Sequence, residues 1–501
     1  MTGVATGAPA GSRILPRFAR LPVLSAAGAL ALVLALTAGG YGYHRDELYF
    51  RMLEPAWGYL DQPPLTPLLA KLSTLIADEP WALRLWPLLF AVASVAVVAL
   101  LARELGGGAF AQGLAAWGYA FGSFTLTFGH ALFTASLDLL VWPLVVLAVL
   151  RALRGWPEPA QPWWWLVAGA IVGLSLDNKL LVALLLLSLA AGILVAGPRG
   201  VLRTRWPYLG VAVMFVLGAP ALVYQALNGW PQLAMGGALS SGNAGEVRVL
   251  MWPFLALLLG PLLVPIWVAG LVGLLRRAAW RSARFLAVAF GVLLVLVAIA
   301  GAQFYYPYGL LVCVYAAGCV VVADWAGSWP GRRLRRVLLV AAVAVNSVVS
   351  AVISLPIVPV DVLGATPIPA MNQSVADQVG WPAYVAQVER AALDSGADVV
   401  IASNYGEAGA LDRYGGDALP PVVSGHNALA AARRPAADAE AAVVVGGQFE
   451  RVRDLFARCA VVDELDSGLG VDNEEQGEPM AVCSGPVRPW AELWPSFAHL
   501  N

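Results

Sequence analysis

Apolar runs long enough to cross a lipid bilayer follow one another through the first 355 residues, and they constrain the fold more than any other feature. Lipid leaves only helices or closed barrels to satisfy the backbone, and a spanning helix needs about 20 residues. Charged residues make up only 13% of the chain, against about a quarter in a soluble domain. We therefore predict a polytopic α-helical membrane protein with about eleven spans, at 21–40, 81–101, 109–128, 137–150, 163–176, 180–196, 207–227, 249–275, 285–302, 309–325 and 337–355.

The loop arginines predict the orientation of these spans. They fall on every second connection, at Arg103, at Arg151 with Arg154, and in clusters within 199–205, 276–284 and 332–336. The positive-inside rule places these connections and the basic leader, residues 1–20, in the cytoplasm. The loop 41–79, which is the longest between spans, and everything after Leu355 are then extracytoplasmic.

The chain changes charge after the last span. From Leu355 onward it carries 20 acids and 8 bases, whereas the preceding residues carry 12 acids and 23 bases. Such an asymmetry indicates two environments. Residues 21–355 are predicted to form the membrane domain, and residues 356–501 an extracytoplasmic α/β domain with a helix over Phe449–Cys459. Cys459 and Cys483 can form a disulfide there, although no spacing rule requires it.

The outer loop 41–79 concentrates acids at the membrane surface. Asp46 and Glu47 directly follow the first span, and Asp61 precedes the rigid pair Pro63-Pro64. A carboxylate that deprotonates an acceptor hydroxyl must sit close to it, near a region that excludes water. The three acids are therefore candidate catalytic residues. Capping of a helix by Asp46 and Glu47, with interfacial solvation, is the simpler alternative.

Two short interfacial helices are expected in the same loop, because apolar residues recur there at helical spacing. They are predicted over Tyr49–Leu60 and Leu65–Ile76, with the two prolines between them.

Cations and hydrogen-bond donors near the same surface are candidates for binding a phosphate and its sugar, because such groups stabilise a departing anion. They are His44, Arg45, Arg51, Lys179, Gln303, Tyr305 and Tyr306. Several of them also have a plainer interpretation. Lys179 can snorkel or pair with Asp177, Arg45 can pair with Asp46, and the tyrosines can belong to an aromatic belt.

The composition argues against most cofactor sites. The chain has four cysteines and four histidines, and no metal site or other cofactor is required. A divalent cation held by the oxygens of Asp46, Glu47 and Asp61 is possible in principle. There is no P-loop, and no nucleic-acid partner is expected.

Several segments resemble a known family. Arg45-Asp46-Glu47-Leu48-Tyr49 after the first span, Asp61-Gln62-Pro63-Pro64, Asn178-Lys179 and Tyr305-Tyr306-Pro307 are similar to bacterial integral-membrane glycosyltransferases of family 39. That family has the GT-C fold and includes protein O-mannosyltransferases and the lipid A aminoarabinose transferase. The tail segments beginning at Asn404 and at Ser424 look like those of uncharacterised bacterial members.

The resemblance implies a reaction at the outer face of a bacterial plasma membrane. A polyprenyl-phosphate-linked sugar is the donor, an acceptor hydroxyl attacks with inversion, and the polyprenyl phosphate leaves. Asp46 matches the acid usually given the catalytic or acceptor-positioning role, and Asp61 a second acid. The aminoarabinose transferase has a lysine where this chain has Gln62, so Lys179, Arg45 or Arg51 would have to replace that cation.

The acceptor is left open as a glycan, a lipid or a protein. Eukaryotic members of the family carry an inserted luminal domain, and this chain has no insertion of that size between spans, so the resemblance disfavours a protein acceptor. The alternative from another class is a transporter or flippase of lipid-linked glycan precursors. Transporters commonly show repeated halves and charges near the bilayer midplane. Here we find no internal repeat, and the charges within the apolar runs cluster near the outer ends of spans. A scaffold whose outer domain binds polysaccharide is a third reading, in which Asp46 would be dispensable.

Overall fold

The computed structural model of the protein describes residues 15–301 and 303–500, so most of the predicted leader lies outside it. Helices account for most of the chain up to Ser354. They are α1 (Arg20–Thr37), α2 (Arg45–Met52), α3 (Leu65–Thr74), α4 (Pro80–Leu83), α5 (Leu85–Glu104), α6 (Ala109–Ala120), α7 (Ser123–His130), α8 (Asp138–Ala152), α9 (Trp164–Ser175), α10 (Val182–Ala196), α11 (Trp206–Leu217), α12 (Ala219–Leu227), α13 (Pro231–Leu257), α14 (Val264–Arg276), α15 (Phe285–Ala300), α16 (Tyr308–Gly327) and α17 (Arg332–Ser354).

The apolar helices mark the chain as a membrane protein. Within the described ranges, four helical segments are long and apolar enough to span a bilayer, namely α1, α4 continued by α5, α16 and α17. Two bent pairs raise the number to six, because α11 and α12 meet at 62° and the end of α13 meets the segment containing α14 at 76°. Shorter apolar helices such as α9, α10 and α15 do not reach that length, and the count of about eleven spans stays a prediction.

The membrane part is built around α5 and α16. Helix α5 packs against α1, α6 and α8, and α16 packs against α6 and α14. Large side chains such as Tyr119, Trp142 and Tyr315 are fully buried in the resulting core. Burial of aromatic area on this scale dominates the packing energy of a core.

The loop helices differ from their prediction at one end. Helix α3 begins at Leu65, as predicted, and α2 begins at Arg45, next to the paired acids that were expected to open it. The side chain of His44 caps this start. The predicted extension of that helix to Leu60 is wrong, because α2 ends at Met52. The early end follows from Pro55, which favours extended backbone at the residue before it.

After α17 the chain forms a mixed sheet covered by helices. The strands are β1 (Val399–Ala402), β2 (Val422–Ser424), β3 (Ala441–Val445), β4 (Phe456–Glu464) and β5 (Pro479–Pro486). Their order is β2-β1-β3-β5-β4, with β1 parallel to both neighbours and β5 antiparallel to both of its own. The helices are α18 (Val360–Leu363), α19 (Ile368–Met371), α20 (Gln373–Ala376), α21 (Trp381–Ser395), α22 (Tyr405–Tyr414), α23 (Leu429–Ala432), α24 (Phe449–Val452) and α25 (Trp490–Leu493).

One predicted element of the tail is wrong. The helix expected over Phe449–Cys459 ends at Val452, a 3-10 turn follows, and β4 begins at Phe456. Pairing with β5 explains the change, because Cys459 lies opposite Cys483 in the register and forms a disulfide with it. Tertiary pairing of this kind overrides local helical periodicity.

The tail and the outer loop share one hydrophobic core. Leu48 of α2 and Trp381 of α21 belong to the same buried cluster. Two glycines allow α22 to touch α2: a Cβ on Gly409 would lie 2.7 Å from the Leu48 carbonyl carbon, and one on Gly406 would lie 2.9 Å from the Arg45 Cβ. The contact therefore requires glycine at both positions.

Candidate active site

The first turn of α2 carries the paired acids Asp46 and Glu47. His44 is the N-cap residue, and its Nδ1 accepts a hydrogen bond from the Asp46 amide at 3.1 Å. The Glu47 carboxylate in turn accepts from the His44 amide at 2.9 Å. This reciprocal capping box satisfies two amides at the helix start and fixes the direction in which Asp46 leaves the helix.

Asp46 faces groups from both the membrane part and the tail. Its Oδ1 accepts a hydrogen bond from Tyr405 Oη at 2.9 Å, and no hydrogen bond between described residues reaches its Oδ2. Burial raises the pKa of Asp46, while Arg45, the Tyr405 hydroxyl and Lys179 act to lower it. Asp46 therefore has a raised pKa, and its Oδ2 is available to a ligand.

Glu47 is fully buried and is saturated with hydrogen bonds. Arg84 Nε donates to its Oε1 at 3.1 Å, and Arg84 Nη2 donates to its Oε2 at 3.0 Å. The backbone amide of Leu132 also donates to Oε1, and that of His44 donates to Oε2. Each oxygen therefore accepts two hydrogen bonds from the protein, which suits a positioning role better than contact with a ligand.

Arg84 is a residue of this region that sequence reasoning missed. Besides Glu47, its guanidinium donates to the carbonyls of Ala38 at 2.9 Å and Gly42 at 2.6 Å, and to Gln378 Oε1 at 3.1 Å. It thereby joins the end of the first span, the start of α2 and the tail. A signal was present, because Arg84 is a charge inside the apolar run 81–101.

Asp61 lies beside a second tyrosine. Tyr49 Oη donates to Asp61 Oδ1 at 3.1 Å, and the Tyr49 ring stacks on Tyr405 with centroids 4.8 Å apart. Burial raises the pKa of Asp61 to about 6, and the charge of Asp46 acts in the same direction. Two stacked tyrosines thus donate to two separate carboxylates, Tyr49 to Asp61 and Tyr405 to Asp46.

Lys179 lies between α9 and α10 and faces the aromatic break before α16. Its Nζ is 5.1 Å from the ring centre of Tyr306 and 5.9 Å from that of Tyr305. Its ammonium interacts electrostatically with Asp138 and Asp46. None of the ion pairs between described side chains joins Lys179 to Asp177, so the plainer pairing considered from the sequence is not formed.

Arg45 and His44, at the start of α2, lie beside acids of the tail. Arg45 forms an ion pair with Glu474 instead of with Asp46, and its guanidinium lies 5.0 Å from the Tyr405 ring centre. His44 Nε2 is 4.0 Å from Asp377 Oδ2. Burial raises the pKa of Asp377 to about 6. The tail therefore supplies acids to the wall of the site, which the sequence did not reveal.

Two residues predicted to bind the phosphate or the sugar, Arg51 and Gln303, form no ion pair or side-chain hydrogen bond with the acids in the first turn of α2 among the described residues. Arg51 pairs with Asp78 at 2.9 Å and with Asp412 at 2.8 Å, so its charge already serves a link between the loop and α22. The Gln303 carbonyl accepts from the Tyr306 amide at 3.4 Å, and no hydrogen bond involves its side chain within the described part of the chain.

The acids do not form a metal cage. In residues 15–301 and 303–500, no three histidine, cysteine, aspartate or glutamate side chains are placed to hold one metal ion. Glu47, which the sequence offered as an oxygen ligand, has its oxygens occupied by Arg84 and two amides.

Comparison with known proteins supports the sequence resemblance. Residues 61–224, about a third of the chain, match the family described as dolichyl-phosphate-mannose-protein mannosyltransferase. No curated protein matches the sequence significantly.

Solved structures share the fold over most of the chain. ArnT from Cupriavidus metallidurans, bound to undecaprenyl phosphate, is 16% identical with a TM-score of 0.58, over 92% of this chain and 99% of that one. The archaeal oligosaccharyltransferase AglB from Archaeoglobus fulgidus, in complex with an inhibitory peptide and a dolichol-phosphate, is 12% identical with a TM-score of 0.53, over 87% of this chain and 71% of that one. The family match and the shared fold support a membrane glycosyltransferase of the GT-C fold and confirm the resemblance drawn from the sequence.

Proposed function

We propose that the protein is an inverting glycosyltransferase that moves a sugar from a polyprenyl-phosphate-linked donor to an acceptor hydroxyl at the outer face of a bacterial plasma membrane. The single observation that carries this proposal is the placement of Asp46. One oxygen is fixed by Tyr405, the other is left for a ligand, and the Lys179 ammonium lies nearby.

Asp46 is the proposed general base. Its free Oδ2 accepts the proton of the acceptor hydroxyl while that oxygen attacks the anomeric carbon. A base works best when its pKa lies near the working pH, and burial moves the pKa of Asp46 upward in that direction. The new glycosidic bond forms on one face of the sugar as the bond to the phosphate oxygen breaks on the other, which inverts the anomeric centre.

Lys179 and the tyrosines are the proposed binding group for the leaving phosphate. The phosphate oxygen gains negative charge as the bond to the sugar breaks, and a cation already in place stabilises that charge. Lys179 is held against Tyr305 and Tyr306, and this contact limits how far its ammonium can move. Gln303, on the same segment, is the proposed contact to the sugar.

The other predicted residues support these two groups. Glu47 positions Asp46 through the capping box and Arg84, and His44 completes that turn. Asp61 is proposed to orient the acceptor from its place beside Tyr49. Arg45 adds positive potential near Asp46. Arg51 is proposed to contribute only long-range positive potential, because its guanidinium already pairs with Asp78 and Asp412.

The donor class rests on the two structural relatives. ArnT was solved with undecaprenyl phosphate and AglB with a dolichol-phosphate, so a polyprenyl phosphate suits the same fold here. In our proposal the N-terminus is cytoplasmic and the acidic tail is extracytoplasmic, because the positive-inside rule places the arginine-bearing loops in the cytoplasm and the outer loop 41–79 on the other side.

Sugar transfer in isolated membranes tests the proposal. Membranes with and without the protein are incubated with a panel of labelled polyprenyl-phosphate sugars, and the anomeric configuration of any product is determined. We expect protein-dependent transfer with inversion. Movement of the labelled lipid between leaflets without transfer would replace the proposal with the transporter interpretation.

A further inference from the structure

The tail reaches the proposed base through the first residue of α22. Tyr405 comes from a segment more than 350 positions away in sequence, yet its hydroxyl lies 2.9 Å from Asp46 Oδ1. The proposed reaction chemistry does not use this hydroxyl. Its partner is nevertheless the carboxylate on which that chemistry depends.

The phenol ring is held on several sides. It stacks on Tyr49 with centroids 4.8 Å apart and on His426 at the same centroid separation. The Tyr405 amide donates to His426 Nδ1 at 3.1 Å, and Asn404 caps the start of α22 through the Glu407 amide at 2.9 Å. A side chain fixed by stacking and by a helix cap can impose a direction on its partner.

The backbone around the tyrosine is also specified. Gly406 and Gly409 remove the side chains that would otherwise keep α22 from reaching Arg45 and Leu48 of α2. This close approach brings the phenol to the acid, since α2 carries Asp46 on the same turn. The contact between Tyr405 and Asp46 therefore depends on the close packing of α22 against α2.

We propose that Tyr405 is a positioning residue for Asp46, so that the catalytic site is shared between the outer loop and the C-terminal domain. This inference rests on the proposed function, because it assigns Tyr405 its role through the proposed base. Tyr405 orients Oδ1 and thereby turns Oδ2 toward the acceptor.

The hydrogen bond also affects the ionisation of the base. A phenol that donates to a carboxylate stabilises the ionised form and lowers its pKa. The other groups facing Asp46 are the cations Arg45 and Lys179 and the acids Glu47, Asp61 and Asp377. The Tyr305 phenol faces it from the segment before α16.

These neighbours stay in place when only the Tyr405 hydroxyl is removed. The Tyr405→Phe variant keeps the ring and its stacking, so the fold is expected to survive. The pKa of Asp46 then rises. Activity that requires the ionised carboxylate is lost at a higher pH as the solution is acidified.

The experiment compares Tyr405→Phe with Tyr414→Phe, which makes the same substitution at the other end of α22. Transfer is measured against pH in reconstituted membranes. For Tyr405→Phe we expect kcat to fall about 10-fold or more, KM to change little, and the acidic limb to move up by about one pH unit. The Tyr414→Phe profile should match that of the wild type.

An infrared titration of the Asp46 carboxyl provides a readout that does not need transfer. The band is assigned by its loss in Asp46→Asn, and its midpoint should move to higher pH in Tyr405→Phe alone. An unchanged midpoint, or equal shifts in both tyrosine variants, would overturn the inference even if the wild type transfers sugar. Absence of transfer by the wild type would overturn the proposed function, while the infrared midpoint would still decide whether Tyr405 controls Asp46.

Discussion

Arg84 and Glu47 form a buried two-pronged ion pair, with Nε to Oε1 at 3.1 Å and Nη2 to Oε2 at 3.0 Å. Their side chains are 1% and 0% exposed. Arg84 also donates to the carbonyls that follow the first span and to Gln378 of the tail. One guanidinium therefore holds together the three parts of the chain that meet at the site.

Loss of the arginine should unfold this junction. Arg84→Ala leaves the Glu47 carboxylate buried without its charge partner, which typically costs about 3–5 kcal/mol. We expect a large drop in the melting temperature in detergent. The drop should be smaller for Arg84→Lys, which keeps the positive charge but loses the two-pronged guanidinium contact. The exposed Arg390→Ala provides the control. Equal melting temperatures for Arg84→Ala and Arg390→Ala would contradict the role of the pair.

The two lysines of the chain allow a matched test of the phosphate site. Lys179→Met removes the cation beside Tyr305 and Tyr306, and we expect the rate of transfer to fall about 100-fold or more. Lys71 forms an exposed ion pair with Glu54, so Lys71→Met should stay within about twofold of the wild type. Similar rates for the two variants would remove Lys179 from phosphate binding.

The disulfide provides a test of orientation. Cys459 and Cys483 are joined, whereas Cys313 and Cys319 are buried thiols. In intact cells, a maleimide reagent should label the protein only after treatment with an impermeant reductant, if the tail is extracytoplasmic. The Cys483→Ser variant leaves the half-buried Cys459 as a free thiol. This variant should therefore react with the maleimide without reductant. Labelling of the wild type only after the membrane is permeabilised would contradict the proposed topology.

The same bond should stabilise the tail. It closes a loop with a sequence separation of 24 residues. Such a crosslink is worth about 3 kcal/mol in the chain-entropy account. Reduction should therefore lower the melting temperature of the purified wild type and leave that of Cys483→Ser unchanged. A wild type that melts at the same temperature with and without reductant would contradict this prediction.

Stability should fall as pH rises through the pKa of Asp61. Burial raises that pKa to about 6 from an ordinary value of 3.8. The protonated acid is favoured in the folded state, so the stabilisation is complete below about pH 4 and is lost as pH rises toward 6 and above. The loss amounts to at most on the order of 3 kcal/mol.

Melting temperatures measured between pH 4 and 8 test this dependence. Asp61→Asn should reduce the decline, and the exposed Asp417→Asn should not. The decline that remains is attributed to other buried acids, among them Asp46, whose pKa burial raises, and Asp377 and Glu475, for which burial raises the pKa to about 6 and about 7. Identical pH profiles for Asp61→Asn and the wild type would contradict the assignment.

The sequence was informative where local chemistry decides the structure. The paired acids after the first span lie in a capped helix start, and Lys179 lies in the connection between α9 and α10. Both features could be anticipated, because helix capping and the position of a polar residue between apolar runs are written in short stretches of sequence.

Long-range contacts could not be anticipated in the same way. The bond from Tyr405 to Asp46 joins positions that no periodicity relates. The pairing of Arg45 with Glu474 depended on how the tail packs on α2, and the sequence offered Asp46 as an equally near partner. The strand at Phe456 replaced a predicted helix because β5 lies beside it. In each case the deciding partner lies far away in sequence.

The central claim is that Asp46 activates the acceptor of a polyprenyl-phosphate-dependent transfer. The most direct measurement is the rate of sugar transfer and polyprenyl phosphate release by the purified protein in lipid vesicles, for Asp46→Asn and Asp417→Asn. We predict that Asp46→Asn loses both activities about 10²- to 10⁴-fold, with a normal melting temperature, and that Asp417→Asn matches the wild type. Transfer by a folded Asp46→Asn at the rate of Asp417→Asn would contradict the account.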